Sequence, residues 1–347
     1  MRKYLLLLLL VAAILNSCND NFNPNGDFKP VTIVYALLDA GETDHYVRIQ
    51  KAFLDQNTNA LTIAEINDSI YYPDDILVIL HNNASGANDT LKRVNADSLG
   101  LVKDTGIFSS QPNILYHLKA SLIAGNNYTL SVSSETKPEE NVSASETLID
   151  KPFPTYPSGA GATTIIISDT DGISSNFFPV RAAPVYQIVV RFPYKEWLAS
   201  NPSDVQFKHI DWIAVNNLSP SNLTALVKLV GLPSRNLFRQ LESTLPVGDD
   251  YRRQFDAAEG LTFFYYAGGE AYYNYIRVQN AQGGITSNEA LPNYTNVNNG
   301  LGIFSTRSVA TTLGVSIKDE DLDSLSCGCI TRNLNFSNSS GLFFNCN

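Results

Sequence analysis

Leu122-Ile123-Ala124-Gly125-Asn126-Asn127-Tyr128-Thr129-Leu130-Ser131-Val132 is the stretch that decides the class of fold. Gly125, Asn126 and Asn127 are turn chemistry, because glycine accepts positive φ freely and asparagine tolerates it. From Tyr128 onward, large apolar and small polar residues alternate, which is the period of a strand with one buried face. The same grammar recurs on the N-terminal side. Residues 31–38 and 46–53 are β-branched and aromatic runs separated by Asp39-Ala40-Gly41-Glu42. Residues 76–80 and 91–94 flank a loop of Asn82, Asn83, Ser85, Gly86 and Asn88, a hairpin signal. Residues 114–120 alternate weakly. Roughly seven short strands in about 120 residues fit a β-sandwich.

The turn glycine, the tyrosine entering the strand and the alternation after it resemble a late strand of immunoglobulin- and fibronectin-type domains. The resemblance implies an N-terminal immunoglobulin/fibronectin-like sandwich over residues 28–150, with the Tyr128 ring in the inter-sheet core and its hydroxyl on a backbone partner. Lys151-Pro152-Phe153-Pro154-Thr155-Tyr156-Pro157-Ser158-Gly159 carries three prolines and reads as a stiff linker over 151–159. Residues 160–326 read as a second β-rich domain with a few short helices, making the whole mainly β (α+β). There the pattern predicts strands at 186–192, 207–215 and 261–266. It predicts helices at 222–230 and 234–243, the second with Leu237, Phe238 and Leu241 on one face, and helical spacing over 270–279. Residues 293–304 read as a polar loop, a turn and a short strand in which Gly302 lets another backbone approach closely. Residues 327–347 form a cysteine-containing tail.

The chain begins Met1-Arg2-Lys3 and continues with an unbroken apolar run over residues 4–15. That run has the length of a signal-peptide core and is too short for the roughly 20 residues a membrane-crossing helix needs. Leu15-Asn16-Ser17-Cys18 resembles the lipobox of bacterial lipoproteins, with Asn16 departing from the usual small residue. Residues 1–17 are then a signal peptide, Cys18 carries lipid into a membrane, and the Asn-rich residues 18–27 are a tether.

The formal charge of −10 becomes −12 once Arg2 and Lys3 leave with the signal peptide. Lysines and arginines do not cluster, so a nucleic-acid partner is not expected. Three cysteines follow Cys18: Cys327, Cys329 and Cys346. In an exported chain they read as disulfide material with one thiol left over, and Cys346 pairs best with Cys327 or Cys329. His45, His81, His117 and His209 show no metal or catalytic spacing, no Gly-x-Ser-x-Gly elbow occurs, and no cofactor is expected. Asp319, Asp321 and Asp323 have the spacing of the first half of a calcium loop but lack the glycine and glutamate that complete one. Asp169-Thr170-Asp171-Gly172 is a second acidic turn. Tyr265, Tyr266, Tyr272 and Tyr273 are candidates for a platform on which a sugar or peptide stacks.

The lipobox, the strand Val31-Thr32-Ile33-Val34-Tyr35-Ala36-Leu37-Leu38, the Gly-Asn-Asn-Tyr-Thr-Leu strand and Asn299-Gly300-Leu301-Gly302-Ile303-Phe304 together resemble an uncharacterised family of Bacteroidetes-type envelope lipoproteins. That family is considered alongside TonB-dependent outer-membrane transporters. The resemblance implies a non-enzymatic, lipid-anchored protein of the outer membrane with a binding or accessory role and such a transporter as partner. A carbohydrate-binding lipoprotein and, behind it, a hydrolase are the rival readings.

Overall fold

The structure, a computed structural model, describes residues 31–52, 60–104, 106–167, 172–282 and 294–343. Cys18 with its leader and tether, the Asp169–Asp171 turn and Cys346 lie outside these residues. Strands dominate, and the described residues include five short α-helices.

Eight strands build the N-terminal sandwich: β1 (Thr32–Leu38), β2 (Asp44–Lys51), β3 (Ile76–Asn82), β4 (Asn88–Thr90), β5 (Lys92–Asn95), β6 (Ile114–Lys119), β7 (Asn127–Ser134) and β8 (Val142–Thr147). One layer runs β1-β2-β6-β5 and the other β4-β3-β7-β8. With the strands lettered in chain order these are A-B-E-D and C′-C-F-G, the arrangement of immunoglobulin-like sandwiches. Burial along β7 alternates without a break, and Val34, Ala36, Val47 and Ile49 meet Val78, Leu80, Leu130 and Val132 across the layers. Two very short helices, α1 (Ala60–Ile63) and α2 (Asn67–Ile70), lie in the β2–β3 connection.

Tyr128 is 2% exposed. Its hydroxyl accepts the Ile123 backbone N–H at 2.9 Å and the Asn82 Nδ2–H at 3.2 Å, tying the start of β7 to the turn before it and to β3. Tyr128→Phe leaves the buried Asn82 amide and the half-buried Ile123 N–H unanswered, so it should cost about 1–3 kcal/mol. An unchanged urea midpoint for that variant would show that the hydroxyl does not hold the corner.

The rest of the chain adds β9 (Phe153–Tyr156), β10 (Thr164–Ile165), β11 (Gly172–Phe178), β12 (Val185–Leu198), β13 (Asn201–Leu218), β14 (Val227–Pro233), β15 (Tyr251–Phe255), β16 (Leu261–Gly268) and β17 (Gly300–Ile317). Its helices are α3 (Arg235–Thr244), α4 (Glu270–Gln282) and α5 (Asp319–Cys327). β17 pairs antiparallel with β16 and parallel with β1. One ten-stranded sheet therefore runs β13-β12-β16-β17-β1-β2-β6-β5, with β10 alongside β17 and β15 alongside β12.

Two sequence expectations change. The proline-rich stretch is not a bare linker, because Phe153–Tyr156 is β9 on the edge of a three-stranded sheet, β14-β11-β9. Proline lacks the N–H that a central strand needs and an edge can spare. The helix expected over 222–230 is absent: residues 222–226 form a turn and Val227 onward pairs with β11 as β14; tertiary pairing overrides a weak local preference. The cysteine-containing tail packs against the second core. Leu334 and Phe336 are buried, and Phe336 sits edge-on to Phe192 and Tyr194.

The four-stranded and three-stranded sheets cover the same face of the ten-stranded sheet. On β17, Phe304 joins the first core, and Ala310, of the same parity, packs against the second. Opposite parity sends Tyr35 and Leu37 of β1, Ile303 and Arg307 of β17, Tyr266 of β16 and Gln187 of β12 to the other face. Helix α4 packs on that face against β17.

Candidate binding cleft around α4

The seat of α4 is built from small residues and oxygens. A Cβ on Gly268 would run into the Tyr272 ring and Val185, and one on Gly269 into Thr306, so two glycines allow the helix to start close to the sheet. A helix leaves its first N–H groups unpaired. Here Glu146 of β8 accepts that of Ala271, Ser305 Oγ accepts that of Tyr272 at 3.1 Å, and the Gly269 carbonyl accepts that of Tyr273 at 3.0 Å. Burial pushes the Glu146 carboxyl above its usual range, and the hydrogen bonds it receives offset this only in part. From this seat α4 turns Tyr272, Tyr275 and Ile276 to the sheet, spaced i, i+3 and i+4.

A cleft lies on each flank of α4. The larger, about 410 Å³, is lined by Tyr272 and Tyr275 with Tyr35 of β1, Tyr46 and His45 of β2, and the carboxylates Asp39, Glu42 and Asp44. The smaller, about 240 Å³, is lined by Tyr266, Gln187, Asn216, Asn217 and Ile276. Leu37, Tyr272 and Arg307 belong to both. Arg307 is exposed and has no ion pair among the described residues. Burial raises the Tyr35 phenol pKa, and the Tyr275 phenol beside it adds to the effect.

His45 is 3% exposed, with Nε2 at 3.1 Å from the Ala120 carbonyl. Burial pushes its pKa down, against that hydrogen bond and the fields of Asp39, Asp44 and Glu42. A histidine whose folded pKa lies below its unfolded value of about 6.5 contributes stability above that pH and loses it as pH falls toward the folded pKa. The thermal midpoint should therefore drop below about pH 6.5, and His45→Asn should flatten the drop. Equal slopes in the two proteins would assign the pH dependence elsewhere. Asp44 meets His117 Nε2 at 2.7 Å, and the His117 ring stacks on Tyr46 with centroids 4.8 Å apart.

The structure divides the four tyrosines expected to form a platform. Tyr266 and Tyr272 line the clefts. Tyr265 must be withdrawn from any platform. Strand alternation turns it into the core, where it is 1% exposed. Its hydroxyl is bound to Ser175 Oγ and the Tyr156 carbonyl, and burial pushes its pKa up to about 12. Tyr273 lies one step round α4 from Tyr272, outside both clefts, with the Arg277 guanidinium over its ring. Tyr35, Tyr46, Asp39, Glu42 and Arg307 were not anticipated as site residues. Their signal was the second face of strands read mainly for their core face.

Asp319, Asp321 and Asp323 belong to α5 and not to a loop, so they do not converge as calcium ligands. Asp321 accepts the Ile167 N–H, and Asp323 accepts the Ser339 N–H and hydroxyl. Among the described residues no three His, Cys, Asp or Glu side chains are placed to hold a metal ion. Cys327 is disulfide-bonded, and Cys329 is an exposed free thiol. His209 is exposed on β13. No protein-family model matches the chain, and no curated protein matches it.

Proposed function

We propose that this chain is a lipid-anchored binding protein of the cell envelope, held at the outer membrane through Cys18 and serving as accessory to an outer-membrane transporter. Its recognition surface is the sheet face around α4. One observation carries this reading: a helix seated on glycines and capped by Glu146 and Ser305 holds tyrosines over a polar, tyrosine-lined pair of clefts. Rigid aromatic rings with convergent polar groups are what binding sites are made of. Affinity purification of the lipidated chain from detergent-solubilised membranes should bring down one transporter in near-equal amount. Recovery of the chain by itself would oppose the accessory role.

A second reading is a saccharide ligand. The smaller cleft favours it, because the Tyr266 ring stands beside the amides of Gln187, Asn216 and Asn217, which suit sugar hydroxyls. Glycan binding that disappears in Tyr266→Ala would support it, and a blank glycan array would remove it.

A further inference from the structure

We propose that the smaller cleft selects an acidic sugar, a hexuronate residue whose ring lies on Tyr266 and whose carboxylate is held by Arg307. The inference rests on the saccharide reading of that cleft and names the class of saccharide it takes.

Strand registers set the recognition groups in a row across the sheet. Tyr266 of β16 stands directly opposite Gln187 of β12. On the far side of β12, Asn216 and Asn217 of β13 together oppose Gln187, because the register moves from Tyr186 against Leu218 to Ile188 against Val215. Such a bulge places two residues where a regular strand has one. Asn217 takes φ of +53°, a conformation asparagine adopts more readily than most residues. On the other flank of Tyr266, Arg307 of β17 is the diagonal neighbour, paired with Gly268. Glycine there puts no β16 side chain between the tyrosine ring and the guanidinium. Diagonal neighbours lie about 7–8 Å apart, a distance that a sugar ring bearing a carboxyl group spans.

Each group in the row is left with something to offer. Gln187 Nε2 donates to Asn216 Oδ1 at 3.0 Å, so Gln187 Oε1 and Asn216 Nδ2 are an acceptor and a donor without partners among the described residues. Side by side, they match neighbouring sugar hydroxyls. The Tyr266 ring is steadied by Phe264, with 6.1 Å between centroids and 20° between planes. Arg307 decides the charge of the ligand. In a chain of formal charge −10 it is exposed, and although Asp39, Glu42 and Asp44 line the neighbouring cleft it forms an ion pair with none of them. A guanidinium fork fits a carboxylate with two parallel hydrogen bonds, and a neutral sugar leaves that fork unused.

Titration calorimetry on the full chain in detergent tests this with trigalacturonate, its methyl ester and sodium acetate as probes. The ester keeps the rings and hydroxyls and removes the charge. Trigalacturonate should bind at least about tenfold more tightly than the ester, and added salt should narrow the gap. Arg307→Gln should remove that preference while leaving ester binding unchanged, and Tyr266→Ala should weaken both sugars. Equal binding of acid and ester would overturn the acidic specificity and leave the saccharide reading standing. No binding of either sugar would overturn both. Acetate binding as tightly as trigalacturonate would reduce Arg307 to a general anion contact and overturn the sugar assignment. Copurification with a transporter is read separately, so the envelope role and the uronate site can fail independently.

Discussion

Arg253→Ala should destabilise the fold by about 3–5 kcal/mol and lower its thermal midpoint by on the order of 10 °C. The Arg253 side chain is 0% exposed, and its donors are engaged on three sides. Nε donates to Glu196 Oε2 at 2.7 Å, Nη1 to the Leu334 carbonyl at 2.7 Å and Nη2 to the Pro246 carbonyl at 2.8 Å. One guanidinium thus joins β12, β15, the segment after α3 and the C-terminal tail. Alanine would leave two carbonyls unanswered and Glu196 with Lys208 as its remaining cation, at 2.6 Å. Burial works against the Glu196 charge, yet the hydrogen bonds from Lys208 and Arg253 outweigh it and hold the carboxyl below its usual range. A depressed folded pKa contributes stability above the ordinary carboxylate range and loses it as pH falls through the folded pKa. Removing Arg253 raises that pKa, so acid unfolding of the variant should begin at a higher pH than in the wild type. Calorimetry across the acid range checks both statements. A midpoint within a degree or two of wild type would mean that the buried cluster adds nothing to the fold.

Gly302→Val should be at least as damaging, about 4 kcal/mol or more, and should act on the seam between the two halves of the sheet. Gly302 has φ of +99°, and a Cβ there would overlap the Val34 carbonyl oxygen of the neighbouring parallel strand. Valine is doubly unsuited, since β-branched residues avoid positive φ and no flexible group stands in its way that could move aside. The β1–β17 register, Val34 opposite Gly302 and Ala36 opposite Phe304, is the pairing that fuses the N-terminal sandwich to the C-terminal strands. The variant should lose hydrogen-exchange protection along β1 and β17 before it loses it in β3 and β7. Uniform loss, or none, would show that the seam is not a separable element. Because Tyr35 and Leu37 of β1 and Ile303 and Arg307 of β17 line the large cleft, that site should fail together with the seam.

The local grammar of the sandwich was readable because it is written in short range. Period-two alternation and turn residues placed β1 to β3 and β7, and the Gly125-Asn126-Asn127-Tyr128 turn announced a tyrosine whose hydroxyl holds the backbone. Gly302 announced a close approach without naming the strand that approaches. Sheet continuity was out of reach, because β1 and β17 lie at opposite ends of the described chain and parallel pairing leaves no turn signature between them. The same distance hid the cleft. Tyr35, Tyr46 and Arg307 look like ordinary outward residues on their own strands, and only the seam and α4 bring them together. Tyr272 was found from the aromatic run. Tyr265, in the same run, was misplaced because run composition does not say which face each ring takes. The 222–230 segment was read by helical spacing, while its pairing with β11 was invisible locally.

The account stands on the α4 face being the surface that meets a ligand or partner in the cell. Photo-crosslinking tests this directly, with a photoreactive amino acid placed at Tyr46 in the large cleft or at Phe178, exposed on β11 away from it. After illumination of intact cells, mass spectrometry of the purified chain should show defined adducts from position 46 and none from position 178. Adducts from position 178 with an unmodified position 46 would contradict the account and move the recognition surface to the other side of the molecule.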